Sequence, residues 1–311
     1  MALSKAIFTQ SNRLLALNTP LGENRLIAET LEGFESIDEG GFRFELTVLS
    51  DDAHISLKSL IGQPVRLDVQ TQQSRTELRP LHGHVTEMAY EASNGGLARY
   101  RLVIEPWLAF LRWRQDSFVF QDMTVFEIVE SVFADYQGQG RLTPKWRWEI
   151  LDRSRYPRRG ITCQYQESDF AFVQRLLAEE GLFFWFKSEK DDSPALGAHT
   201  LVIADHNGAF KPNAQSAIRF HRADATEAED TIQTWNAKRQ IRTNRLVTQS
   251  WDYKTLSTRE QRLSGAGAAT RTLAWSDDPG GYAWENDAQG NRLIKNAIAA
   301  LELRDKCFDA V

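Results

Sequence analysis

The stretch from Tyr165 to Phe186 constrains the fold more than any other part of the chain. Ser168 is placed to cap a helix, because its hydroxyl can accept a backbone N–H that the first turn leaves unpaired. Asp169 then sits at the positive end of the helix dipole. Phe172, Val173, Leu176 and Leu177 fall on one apolar face over about two turns. Arg175 and Glu179 are one turn apart and are expected to pair on the wet face. Gly181 is a natural helix stop, where a positive φ meets no Cβ clash. Leu182 to Phe186 is a short apolar run directly after that stop, which predicts a buried strand rather than a second helix. Glu179 and Glu180 are adjacent on the helix and point about 100° apart. They are expected to form a solvated helix end, not a facing acid–base pair.

The chain has 311 residues, a length at which two compact units, or two and a connecting piece, are expected. Its 42% hydrophobic content is enough for a packed core. The net charge of −5 is spread along the chain without a basic cluster, which argues against nucleic acid or an anionic membrane as partner. Cys163 and Cys307 supply neither a disulfide framework nor a cysteine metal site, and a reduced compartment is the simplest reading. The N-terminal apolar run, Leu14 to Leu17, is too short for a secretory signal. The longest apolar run, Leu182 to Phe186, is far short of a membrane span. The chain is therefore expected to be made as a soluble cytoplasmic protein.

Alternating apolar residues predict strands over 42–49, 65–70 and 97–104, with a further pair at 82–85 and 87–90. Ser93-Asn94-Gly95-Gly96 is a turn signal. Together these predict a first β-barrel domain over residues 1–105. Residues 106–187 are expected to form a helix-containing connecting domain that carries the opening stretch. Its clearest helix is 124–136, with Thr124 and Glu127 as a capping box and Val125, Ile128, Val129, Val132, Phe133 and Tyr136 as one apolar face. Phe118 to Phe120 and Trp146 to Glu149 read as strands. Residues 188–311 are expected to form a second β-rich region, incomplete at its C-terminus. It contains a loop at Asp191-Asp192-Ser193-Pro194, a buried strand at 200–204 and a turn at Asn207-Gly208. Residues 219–230 read as a surface loop or edge, and 232–241 with 246–253 as a hairpin. Residues 263–269 read as a mobile Gly/Ala-rich segment, Gly280-Gly281-Tyr282 as a turn, and 286–305 as an amphipathic helix. The fold class is mainly β with helical insertions.

Reactive motifs are missing. No P-loop, Gly-x-Ser-x-Gly elbow or His-Glu-x-x-His occurs. His82 and His84 would share one strand face and could hold zinc, but no third ligand is evident nearby, so a satisfied or exposed strand pair is preferred. Asp205-His206 beside a turn reads as a loop hydrogen bond rather than an acid–base pair. Trp107, Trp113, Trp146, Trp148 and Trp185 could line a sugar groove, but aromatics at strand spacing more often belong to a core or protein interface. No catalytic, cofactor-binding or metal-binding residue is nominated.

The opening stretch closely resembles the signature of the valine–glycine repeat G (VgrG) family of type VI secretion spikes. The matching residues are Tyr156, Pro157 and Arg158, then Cys163, Gln164, Tyr165, Glu167, Ser168 and Asp169, then Phe172, Arg175, Leu176, Leu177, Glu179, Glu180 and Gly181. His82 to Glu87, Ala98 to Leu108 and Phe120 to Val125 follow the same family's pattern in order. The resemblance implies phage tail-hub-like β-barrel domains and a structural role. It implies a homotrimer seated on the hexameric ring of the tube protein, carrying a needle and effectors or adaptor proteins. It also implies assembly in the cytoplasm and export through the contractile apparatus without a signal peptide. Family members continue into an OB-fold neck and a needle, and this chain stops at Val311 before them, so the isolated chain is expected to be monomeric or weakly oligomeric. A contractile phage or tailocin baseplate hub is the alternative within the class. An aromatic-rich β carbohydrate hydrolase is the alternative outside it, and no pair of facing carboxylates supports it.

Overall fold

The computed structural model describes residues 9–37, 40–71, 74–93, 96–188, 196–212, 217–220, 231–265, 272–303 and 306–310. The chain divides into two compact units, one of 1–177 with 182–209 and one of 178–181 with 210–311.

The first unit opens with six strands: β1 (Leu15–Asn18), β2 (Ile27–Glu35), β3 (Phe42–Ser50), β4 (Pro64–Thr71), β5 (Ser74–Ser93) and β6 (Ala98–Glu105). They form one antiparallel sheet in the order β1-β4-β5-β6-β3-β2, a half-barrel. The alternation in β3 puts Phe42, Phe44, Leu46 and Val48 on the buried face, where they join Leu17, Val65, Leu67, Tyr100 and Leu102. The two short strands expected at 82–85 and 87–90 are one strand, β5. A bulge between Val85 and Glu87 shifts its register against β6 and breaks the alternation, so the sequence reads as two pieces. The expected turn at Asn94-Gly95 lies outside the described residues.

After a 3-10 turn at Trp107–Arg112 come β7 (Gln115–Met123), α1 (Val125–Ala134), β8 (Trp146–Glu149), β9 (Arg159–Ser168), α2 (Asp169–Glu180), β10 (Phe183–Ser188) and β11 (His199–Ala204). The Thr124 hydroxyl accepts from the Glu127 N–H, and the Glu127 carboxylate accepts from the Thr124 N–H at 2.8 Å, completing the expected capping box. β7 and β9 form an antiparallel ribbon, and β10-β11-β8 form a three-stranded sheet. β9 carries no strand period in the sequence, since its residues mix polar and apolar types on both faces. A second core fills this part, with Phe120 stacked on Phe172 at 5.6 Å and Trp107 edge-on to Phe133 at 4.9 Å. Among the described residues no helix is long and apolar enough to cross a membrane.

The second unit contains β12 (Arg219–Phe220), β13 (Thr231–Ile232), β14 (Trp235–Arg239), β15 (Arg245–Asp252), β16 (Ser257–Ser264), β17 (Ala274–Asp277), α3 (Asp287–Leu303) and β18 (Lys306–Ala310). The expected hairpin between 232–241 and 246–253 does not form. β14 pairs with β18, while β15 pairs with β16 and, in parallel, with β17. The turn that joins β15 to β16 is fixed by Asp252, which accepts the N–H groups of Lys254 (2.9 Å) and Thr255 (3.2 Å), and β17 takes the other edge of β15. The amphipathic helix forms as α3, with Ile294 and Ile298 buried against Leu246. Gly290 permits a close approach within it, since a Cβ there would lie 2.9 Å from the Trp284 ring. The loop expected at 191–194, most of the edge expected at 219–230, and residues 266–269 lie outside the described residues.

Candidate functional site

The signature is built where β9 turns into α2. Ser168 caps the helix, its Oγ accepting from the Ala171 N–H at 3.2 Å. Asp169 is only 2% exposed, so its carboxylate needs hydrogen-bond partners besides the helix dipole. It accepts from the Tyr136 hydroxyl at 2.7 Å and from the Gln164 amide at 2.8 Å, and Arg114 Nε lies 3.6 Å away. Burial, then the hydrogen bond to Asp169, pushes the Tyr136 phenol well above its ordinary range, so the hydroxyl stays a donor. Tyr136 and Arg114 carry no local sequence signal toward Asp169, because they lie 33 and 55 positions before it. Gln164, five residues before Asp169, lies within the motif, and its role needed the turn geometry to be seen.

The helix face is the expected core. Phe172, Leu176 and Leu177 are buried. Arg175 stacks over Phe172 at 5.4 Å and donates to Glu167 at 2.5 Å and to the Cys163 carbonyl at 3.2 Å. It therefore ties the helix back to β9. At the other end the Leu182 N–H reaches the Leu177 carbonyl at 2.8 Å, and the Gly181 N–H reaches Ala178 at 3.1 Å, with Gly181 at φ +73°. That is a Schellman stop. The acidic pair departs from expectation, because Glu180 is buried and its carboxylate meets Arg292 Nη2 at 2.6 Å within the second unit. Within the signature Tyr165 is a large aromatic that projects outward, at 68% exposure. A bulge in the ribbon, with Gln166 at φ +49° and its N–H on Ser117 Oγ, turns it out.

The other candidates resolve as packing. His199 joins His82 and His84 in the interior, a neighbour 115 residues after His84 that sequence spacing could not reveal. No group of three His, Cys, Asp or Glu among the described residues is arranged to hold a metal. Asp205 accepts from the Leu151 N–H at 3.1 Å and from the Tyr156 hydroxyl at 3.0 Å, the loop hydrogen-bonding role expected of it. Trp107 is fully buried, Trp146 and Trp148 pack against the same core, and Trp113 is exposed, so these four do not form one groove. A cavity of about 250 Å³ on the half-barrel holds Trp113 with Phe34, Glu87 and Glu105. Its Glu105 is occupied by Arg112 and Thr86, each at 2.6 Å, and Glu87 by Arg101 at 2.5 Å.

A β-rich fold whose signature builds a strand-to-helix turn over a buried core is the class that this fold and site define. The chain belongs to the phage tail baseplate hub (GPD) family, whose pattern matches residues 35–310. It is similar to the type VI secretion system spike protein VgrG1b of Pseudomonas aeruginosa, with 27% identity over 303 residues, 95% of this chain. The chain spans 38% of the length of that relative. Among solved structures it is similar to a component of the type VI secretion system of E. coli, with TM-score 0.56 and 24% identity over 72% of this chain and 56% of that one. It is also similar to a tail protein of Neisseria meningitidis, with TM-score 0.63 and 11% identity over 96% of this chain and 79% of that one. These two likenesses establish the tail-hub fold.

Proposed function

We propose that the chain is the hub region of a type VI secretion spike. The observation that carries this reading is the family match over 35–310, together with the 95% coverage by a spike relative. In this reading three copies form a ring that seats on the hexameric ring of the tube protein. The first barrel-like domain is 1–105, the connecting domain is 106–187 and the second β-rich hub region is 188–311. The spike carries a needle and effectors or adaptor proteins, and leaves the cytoplasm through the contractile apparatus. The work is symmetry matching and force transmission, not catalysis: closed assembly covers sheet edges that would otherwise pair at random. Tyr165, Glu167, Ser168, Asp169, Phe172, Arg175, Leu176, Leu177, Glu179, Glu180 and Gly181 act as structural residues that hold the hub's shape.

A baseplate hub of a contractile phage or tailocin is the second reading, favoured by the coverage of the Neisseria tail protein. Deleting the coding sequence in its host separates the two. Loss of tube-protein export into the medium, with particle production intact, is the outcome expected for a type VI hub. Loss of tailed particles with export intact would transfer the chain to the phage reading. Retention of both would remove it from either machine.

A further inference from the structure

Two histidines meet in the interior of the first unit. His84 on β5 and His199 at the start of β11 are 0% and 1% exposed, and their ring centroids are 5.6 Å apart. Phe110 packs edge-on against His84, while Phe42 and Phe186 pack against His199. β5 belongs to the half-barrel and β11 to the three-stranded sheet, so the ring pair lies where these two sheets meet. The Trp107 N–H donates to His199 Nε2 at 3.0 Å. An imidazole nitrogen that accepts a hydrogen bond carries no proton, so neutral His199 is protonated on Nδ1. A second proton, on Nε2, would break that bond and strand a buried backbone N–H. Among the described residues neither ring nitrogen of His84 has a partner at ordinary hydrogen-bond geometry.

The charged groups nearby are already engaged with one another. Glu105 on β6, in register with His84, accepts from Arg112 and Thr86 at 2.6 Å each. Arg66 on β4, in register with His82, pairs with Asp68 at 2.7 Å. His82 on β5 disfavours a charge on His199. The ring contacts from β3, β10 and the 3-10 turn are apolar.

We propose that the His84–His199 pair is an acid-labile latch between the half-barrel and the three-stranded sheet: neutral, it packs as core, and protonated, it parts the two sheets. Burial holds the His84 imidazole down at about 4, against a smaller upward pull from the Arg141 main chain. Burial first, and then His84, hold His199 well below its ordinary value. In the opened state each imidazole takes a proton near pH 6.5. The latch therefore contributes fully above about pH 6.5 and is lost as the pH falls toward 4. Each histidine multiplies the opening equilibrium by about 10 per pH unit across that window.

Hydrogen exchange on the intact chain tests this without a substitution. The protection factor of the Trp107 amide should fall at least about tenfold per pH unit between pH 6 and 4.5. The Val129 amide in α1 serves as the internal reference and should change less. A Trp107 protection factor that stays flat overturns the latch. So does one that falls in step with Val129, because the event is then global unfolding. His84→Phe removes one titrating group and keeps an aromatic ring, so it should lower the slope by about tenfold per pH unit. His199→Gln preserves an acceptor for Trp107 and should do the same. Slopes unchanged in folded forms of both variants would assign the acid response to other groups.

Discussion

The Tyr136 hydroxyl donates to Asp169 at 2.7 Å inside the core, joining a residue two positions past the end of α1 to the first residue of α2. Asp169 also takes the Gln164 amide at 2.8 Å. Replacing one partner leaves the others buried and unmatched. Tyr136→Phe should therefore cost about 1.5–3 kcal/mol and Asp169→Ala about 3–5 kcal/mol. The double variant should cost less than the sum, with a coupling of about 0.5–3 kcal/mol. Urea unfolding curves of the four proteins check this, and strict additivity would show that the two side chains do not share a network.

Leu176 is completely buried among the side chains of α1, α2 and the three-stranded sheet. Leu176→Ala should lower stability by about 2–5 kcal/mol through lost transfer energy and a residual cavity. A thermal melt indistinguishable from that of the parent chain would remove Leu176 from the core.

Gly181 stands at φ +73° at the Schellman stop, and a Cβ there would lie 3.0 Å from the Asn296 side chain. Gly181→Ala should cost about 1–2 kcal/mol from the left-handed backbone alone. The comparison is between melting curves of Gly181→Ala and of Gly160→Ala, since a Cβ at Gly160 meets nothing within 4 Å.

Asp252 gives the second unit its own pH dependence. Burial would raise its carboxyl, but hydrogen bonds from Thr255, the Lys254 N–H and Arg259 hold it at about 2 instead of 3.8. The unfolded chain thus takes up the proton first as the pH falls. The contribution is complete above about pH 4 and disappears as the pH passes through 2. Asp252→Asn should therefore be less stable than the parent at pH 5, and the two should converge near pH 2, as read by urea midpoints. Equal midpoints at pH 5 would show that the Arg259 contact does not stabilise the turn.

The local elements were legible in the sequence wherever one short-range rule decided them. Thr124 and Glu127 stand three residues apart and cap α1 as their spacing requires. Ser168 and Gly181 bracket α2, and the 42–50 alternation sets the buried face of β3. Each of these depends on backbone geometry within about one helical turn or one strand. The long-range partners were decided only by tertiary structure. Nothing near Asp169 points to Tyr136, nothing near His84 points to His199, and Glu180 acquires Arg292 from a helix more than a hundred residues away. β15 is flanked by β16 and β17, and β14 finds its partner in β18, near the far end of the chain. Hydrophobic period and capping are properties of neighbours in the chain. Register, buried ion pairs and ring clusters depend on which surfaces meet after collapse, and one sequence read alone leaves those pairings open.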